Sequence, residues 1–201
     1  MPSDTFLRLS NEKKRKLLEA SYKEFETYNF SDASINRIIK EANISRGSFY
    51  MYFQDKKDLY FYLLEQHGKN LCSIMKESLI KNNGDLFLMF HEVIETCYYS
   101  LIKEHPNFFK KSIENITIIE ETKKTFGFRD KKLLKELIPN INLELLSDNV
   151  KRHIEVIFAI NMHLLMVSLI KLLTKLELDK NIITNYHEQL DIIKNGVVKT
   201  L

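Results

Sequence analysis

The segment Arg46-Gly47-Ser48-Phe49-Tyr50-Met51-Tyr52-Phe53 gathers a guanidinium, a hydroxyl and two phenols around a pair of phenylalanines four positions apart. Residues four apart share one face of a helix, so Phe49 and Phe53 supply a buried side and Arg46, Gly47, Ser48, Tyr50 and Tyr52 an outward one. An arginine can address guanine O6 and N7 with two donors, whereas a serine or a phenol suits a phosphate or a single base contact. Gly47 costs helix stability but lets the backbone approach DNA closely. The chemistry on offer is hydrogen bonding to a duplex. Catalytic patterns of the GxSxG, P-loop, GxGxxG and HExxH kinds are missing from the sequence, so no enzymatic activity and no cofactor are expected.

Such a segment needs a second helix to brace it. Apolar residues recur at three- and four-residue spacing, and only five Gly and three Pro interrupt the chain, which predicts an all-α fold with no strand. Ser10 opens a first helix whose stripe is Leu17, Leu18, Tyr22 and Phe25, ending at Tyr28-Asn29. Ser34 is expected to cap a helix through Ala42, with Ile35, Ile38 and Ile39 inward, and Asn43-Ile44-Ser45 to form the turn. Ser45 caps the helix Arg46 to Phe53, and Asp55 caps one running from Lys56 towards Leu79. Two short helices joined by such a turn form a helix-turn-helix, in which the second helix enters the major groove and the first crosses the backbone.

At this point the string Phe30-x3-Ser34-Ile35-x2-Ile38-x3-Ala42-x-Ile44-Ser45-x-Gly47-Ser48-Phe49-Tyr50-x-Tyr52-Phe53-x-Asp55-Lys56-x-Asp58-Leu59 resembles the DNA-binding signature of the tetracycline-repressor (TetR) family. The resemblance covers residues 10 to 60. It implies a three-helix DNA-binding domain over 1–55 and a helical ligand-binding and dimerisation bundle over 56–201. It also implies double-stranded operator DNA, a small hydrophobic or amphipathic effector and a second copy of the chain as partners. Carried over by residue, Ser34 and Ile35 face phosphate, with Asn36 and Arg37 beside them. Ser45, Arg46, Gly47, Ser48, Tyr50 and Met51 approach the groove, and Tyr52 and Lys56 match phosphate contacts. Two positions depart from the pattern: Ile39 replaces a small residue, and Asn43 replaces the turn glycine but tolerates a left-handed backbone.

The rest of the chain resembles the family only in being helical. Helices are expected from Asp85 to His105 and over 107–115, 117–137, 148–176 and 181–199. Aromatic residues crowd the stretch from Phe87 to Phe128, Phe126 among them, either as an ordinary core or, as the resemblance implies, around a ligand cavity. Phe90, His91, Glu95, Tyr98, Phe109, Asn161 and His163 are its candidate lining. Leu165, Leu169, Leu172 and Ile193, on the last two helices, are the expected dimer contacts. The apolar run from Val156 to Leu173 is broken by Asn161, His163, Ser168 and Lys171, which suits a helix packed on two sides better than a membrane span.

Composition narrows the field further. The net charge is only +3 and is split almost evenly about Asp58, so placement of the basic residues, rather than their total, must carry any binding to DNA. Cys72 and Cys97 lack CxxC spacing and read as reduced packing residues. Neither Glu92 with Glu95 nor His153 with His163 has compact metal-ligand spacing, so no metal is expected. The start of the chain has no apolar stretch behind its charges, and a cytoplasmic location is expected. The alternative to a ligand-responsive regulator is a DNA-binding protein of the same fold controlled by a protein partner.

Overall fold

The computed structural model describes residues 2–99, 105–114, 132–175 and 179–197. Helices dominate these residues, and no β-sheet occurs among them. In chain order they are α1 (Asp4–Leu7), α2 (Asn11–Thr27), α3 (Ile35–Glu41), α4 (Arg46–Tyr52), α5 (Lys56–Lys81), α6 (Leu86–Cys97), α7 (Pro106–Glu114), α8 (132–137), α9 (Asp148–Arg152), α10 (Ile154–Lys175) and α11 (Lys180–Val197). Short 3-10 turns occupy Ile138–Asn140 and Leu143–Leu145. The chain divides into two compact units, the first holding the residues up to Lys69 together with those from Asn107 in α7, the second the remainder. Helix α5 contributes residues to both.

In the first unit, α2 starts where Ser10 accepts the Lys13 amide at 3.5 Å, and ion pairs Lys16–Glu12 and Arg15–Glu19 run along its outer side. Such exposed pairs add only a few tenths of a kcal/mol each, about 0.3–0.5. The inner side matters more. Leu17, Phe25, Ile38, Phe49, Phe53, Leu59, Tyr60, Leu63 and Phe108 are all buried. Tyr60 meets Phe25 at 4.9 Å and Phe108 at 5.3 Å between ring centroids, and its hydroxyl donates to Ser112 Oγ at 2.5 Å. Burial pushes the Tyr60 phenol up to about 12, so it stays a neutral donor. Helix α1 is not foreseen from the sequence: four residues are too few for a periodic signal.

The second unit is built on mutual packing of α6, α10 and α11. Asp85 accepts the Phe87 and Leu88 amides at 2.8 and 3.0 Å and so starts α6 as expected. Phe90, Val93, Ile94 and Cys97 on α6, Phe158, Leu165, Leu169 and Leu172 on α10, and Tyr186 and Leu190 on α11 form the interior. The Tyr186 hydroxyl, buried in this core, donates to the Phe90 carbonyl at 2.8 Å, which satisfies an otherwise costly buried group. The single helix expected over 148–176 is two: the helical path is interrupted at His153, whose carbonyl accepts the Val156 and Ile157 amides as α10 begins. Of the helix expected over 117–137, only 132–137 lies among the described residues, and Phe126 and Phe128 lie outside them.

The turn between α5 and α6 depends on Gly84, at φ +81°. Its amide donates to the Leu79 carbonyl at 2.8 Å, and its own carbonyl accepts from the Asn142 amide at 2.9 Å. A Cβ at this position would lie 2.5 Å from the Asn142 backbone nitrogen. Gly84→Ala therefore combines a disfavoured left-handed backbone with a backbone clash, and it should lower unfolding stability by about 1–3 kcal/mol. Urea unfolding followed by circular dichroism checks this; an unchanged midpoint would contradict the turn geometry.

Candidate nucleic-acid interface

The two short helices α3 and α4 are joined by a turn whose pivot is Asn43, at φ +52°. Asparagine accepts this left-handed conformation where most side chains resist it, as expected of the residue replacing a turn glycine. The Ile44 amide donates to the Ile39 carbonyl at 3.0 Å, closing the turn. Ser45 Oγ then accepts the Ser48 amide at 3.0 Å, which caps α4. Ser34 occupies the corresponding place before α3 but makes no side-chain cap. Its backbone amide is instead satisfied by Glu24 Oε1 at 2.7 Å.

Glu24 does more than replace a cap. It is only 6% exposed and receives three further hydrogen bonds, at 2.6 to 3.0 Å, from the Arg37 guanidinium. Arg37 also donates to the Asp32 carbonyl at 2.7 Å and lies 3.9 Å from the centre of the Tyr28 ring. The Glu24 hydrogen bond, ahead of other influences, raises the Arg37 pKa. Arg37, expected beside the DNA, fastens α3 onto α2 while its side chain stays half exposed. Nothing in the local spacing marks Glu24 as its partner: the pair is thirteen residues apart.

The outward surface of α3 and α4 presents Asn36, Arg46, Gly47, Tyr50 and Met51, all exposed, with Ile35 and Ser48 half-buried. Arg46 Nη1 donates to Asn36 Oδ1 at 3.1 Å, and its guanidinium carbon lies 5.7 Å from the Tyr50 ring centre. One shallow concavity is lined by Ala33, Ser34, Ile35, Asn36, Arg46, Tyr50 and Lys56. Lys56 Nζ donates to the Ala33 and Ser31 carbonyls at 2.7 and 3.0 Å and lies 4.8 Å above the Phe30 ring. Burial lowers its pKa from the usual lysine value. An ammonium has three donors, and two are used here. Tyr52 departs from the outward orientation expected for it: its ring is buried on the side of Phe6, with centroids 6.1 Å apart.

Residues 17–63 match the profile of the bacterial regulatory proteins of the tetR family, and residues 85–197 match the tetracyclin repressor-like C-terminal domain. The chain belongs to the TetR family. The curated relatives it matches are HTH-type transcriptional regulators, not enzymes. The HTH-type transcriptional regulator YdgC of Bacillus subtilis is 34% identical over 73 residues, which are 36% of this chain and 37% of that protein. AcrR of Shigella flexneri is 26% identical over 95 residues, 47% of this chain and 44% of AcrR. The chain therefore matches well under half the length of these two relatives. Among solved structures, NalD of Pseudomonas aeruginosa has a TM-score of 0.65 at 17% identity, covering 96% of this chain and 100% of NalD. SmeT in complex with triclosan has a TM-score of 0.66 at 12% identity, covering 93% of this chain and 92% of SmeT. At these identities the likeness is one of fold.

The residues expected to line the family's ligand cavity differ in their surroundings. Phe109 belongs to the first unit, where its ring meets His67 at 4.6 Å between centroids. Glu95 and His163 are exposed, and His91 pairs with Asp191 at 3.0 Å. Phe90, Tyr98 and Asn161 are buried. The dimer residues also differ from expectation. Leu165, Leu169 and Leu172 are buried inside their own chain, and Ile193 packs against the Phe87–Leu146 cluster. The helix buries that stripe and presents the opposite one, which a run apolar on nearly all sides does not distinguish. Exposed on α10 instead are Glu155, Val156, Ala159, Ile160 and His163, which line one shallow depression.

Glu24 gives this site its testable weak point. Glu24→Leu should leave the Ser34 amide without its acceptor, at about 1–3 kcal/mol, and free Arg37 from α2. Amide hydrogen exchange should then accelerate at Ser34 and through α3 more than through α2. Equal protection in variant and parent would show that packing of Ile38 alone holds α3.

Proposed function

We propose that the chain binds a pseudo-palindromic operator as a homodimer, with α4 in the major groove and α3 across the backbone, and that a small effector held by the second unit releases it. The observation that carries the reading is the joint exposure of Asn36, Arg46, Gly47, Tyr50 and Met51 on one surface, with the partly buried Lys56 ammonium at its edge. Arg46 supplies a donor pair for guanine, while Ser48, Tyr50 and the remaining donor of Lys56 suit phosphates. One helix of seven residues reads only a few base pairs, so two copies related by a two-fold axis are needed for a specific site.

The second copy is proposed to dock on the outward face of α10. Val156 and Ile160 are 55% and 45% exposed there, and the helix is long and apolar enough in composition to span a membrane. Burial against another subunit accounts for that composition, because the inward face is already filled by Phe158, Leu165, Leu169 and Leu172. An effector with a polar group is supported by Asn161, whose side chain is buried and whose Oδ1 accepts no hydrogen bond from the described residues. Proteins of this fold have been solved with such ligands: SmeT with triclosan, and FadR of Bacillus subtilis, with a TM-score of 0.60, with stearoyl-CoA.

Two sets of variants test the reading. Random duplexes enriched by the purified protein supply the operator. Arg46→Ala should then weaken binding by about 1–3 kcal/mol per half-site and relax one base position. Lys56→Ala should weaken all sequences alike and reduce the salt slope by about 0.9 for each phosphate that is no longer neutralised. A change of base preference with Lys56→Ala and none with Arg46→Ala would reverse these roles.

The dimer is tested separately. Ile160→Glu should yield a folded monomer in sedimentation, by placing a charge in the proposed contact, whereas Leu169→Glu should prevent folding because that site lies in the core. An Ile160→Glu chain that remains dimeric would exclude this face.

A further inference from the structure

The N-terminal residues lie outside the two stretches that match the family, yet they are bonded directly to the reading helix. A helix leaves its last four carbonyls without partners. In α4 the Phe49 carbonyl is taken by the Phe53 amide, and two of the others, those of Met51 and Tyr52, are met from a distant part of the chain. The Ser3 amide donates to the Tyr52 carbonyl at 3.0 Å, and Ser3 Oγ donates to the Met51 carbonyl at 2.5 Å. Three residues on, the Phe6 side chain is completely buried, with ring centroids 4.8 Å from Phe53, 5.2 Å from Tyr62 and 6.1 Å from Tyr52. The other end of α1 is tied to α2, since Lys14 Nζ donates to the Leu7 carbonyl at 2.7 Å.

We infer that Ser3 and Phe6 are positioning residues for DNA reading: α1 is a detached C-terminal cap that holds the last turn of α4 at a set depth and angle. A helix of seven residues is far below the length at which helices persist alone, so its placement is decided entirely by what holds its ends and its buried side. Ser45 fixes the first turn and Phe49 the buried side; α1 fixes the last turn through the Met51 and Tyr52 carbonyls. Base readout requires side chains held to within about 0.5 Å, whereas phosphate attraction tolerates larger displacements. Loosening α1 should therefore cost sequence discrimination before it costs general affinity for DNA.

The inference rests on the DNA-binding reading above, and the experiment keeps the two apart. Three full-length variants are compared with the parent: Phe6→Ala, which empties the ring site; Phe6→Leu, which refills most of it; and Ser3→Ala, which removes the hydroxyl but keeps the amide. The DNA probes are the duplex enriched by the parent protein and a random-sequence duplex of equal length. Phe6→Ala should lower the ratio of the two affinities at least tenfold, change random-duplex affinity less than twofold and leave the salt slope unaltered. Phe6→Leu should restore most of the ratio, and Ser3→Ala should fall between. Hydrogen exchange without DNA gives a second arm, in which amides of α4 should exchange faster in Phe6→Ala while those of α2 and α3 keep their rates. An unchanged affinity ratio, or exchange accelerated uniformly through the first unit, overturns the inference. If the parent enriches no duplex, the DNA-binding reading fails, and the exchange arm by itself still decides whether α1 holds α4.

Discussion

Glu24 is a carboxylate with almost no contact with water, carried on the inner side of α2 and surrounded by four short hydrogen bonds. Such a group is costly unless every lone pair is met, so it cannot be displaced without leaving both an amide and a guanidinium wanting. This one acceptor binds α3 at its start, through the Ser34 amide, and again along its side, through Arg37. The placement of α3 follows, and the turn at Asn43 carries it to the start of α4. The Arg37 side chain is itself half exposed, so solvent screens the ion pair. The constraint lies in directional hydrogen bonds more than in charge attraction.

The same economy of anchors recurs across the first unit. Neither α3 nor α4 is long enough to be stable alone, and each is held by side chains or amides from elsewhere in the chain. Lys56 combines a structural part with the recognition proposed for it. Two of its donors fasten the Ser31 and Ala33 carbonyls in front of α3, and its charge sits over the Phe30 ring. The Lys56 ammonium at the edge of the concavity is therefore fixed in place by the chain before α3.

In the second unit the decisive division is between the two faces of α10. Leu165, Leu169 and Leu172 are committed to packing with α6 and α11, and the opposite face leaves Val156 and Ile160 uncovered. Asn161 lies on the committed side with its Nδ2 satisfied by the Ile157 carbonyl at 2.7 Å and its Oδ1 unmet among the described residues. A buried acceptor of this kind is uncommon in a helix core, because leaving it unmet sacrifices about 1–3 kcal/mol.

By itself the sequence determined the helical class, the helix-turn-helix and the cap at Ser45, because these follow from local chemistry: spacing of apolar residues, a hydroxyl before a helix, an asparagine able to turn left-handed. The ordered string from Phe30 to Leu59 points to the family because its residue types and spacing are read directly along the chain. What only the tertiary structure decided were relations between distant segments. Arg37 has the chemistry of a DNA contact, and only the fold brings Glu24, thirteen residues earlier, into position to hold it. Tyr52 is turned inward by α1 behind it, and four residues carry no periodic signal that would announce that helix. That the leucines expected at the dimer contact are covered by their own chain was hidden for a related reason. When both faces of a helix are apolar, its pattern cannot say which one its own chain has already covered.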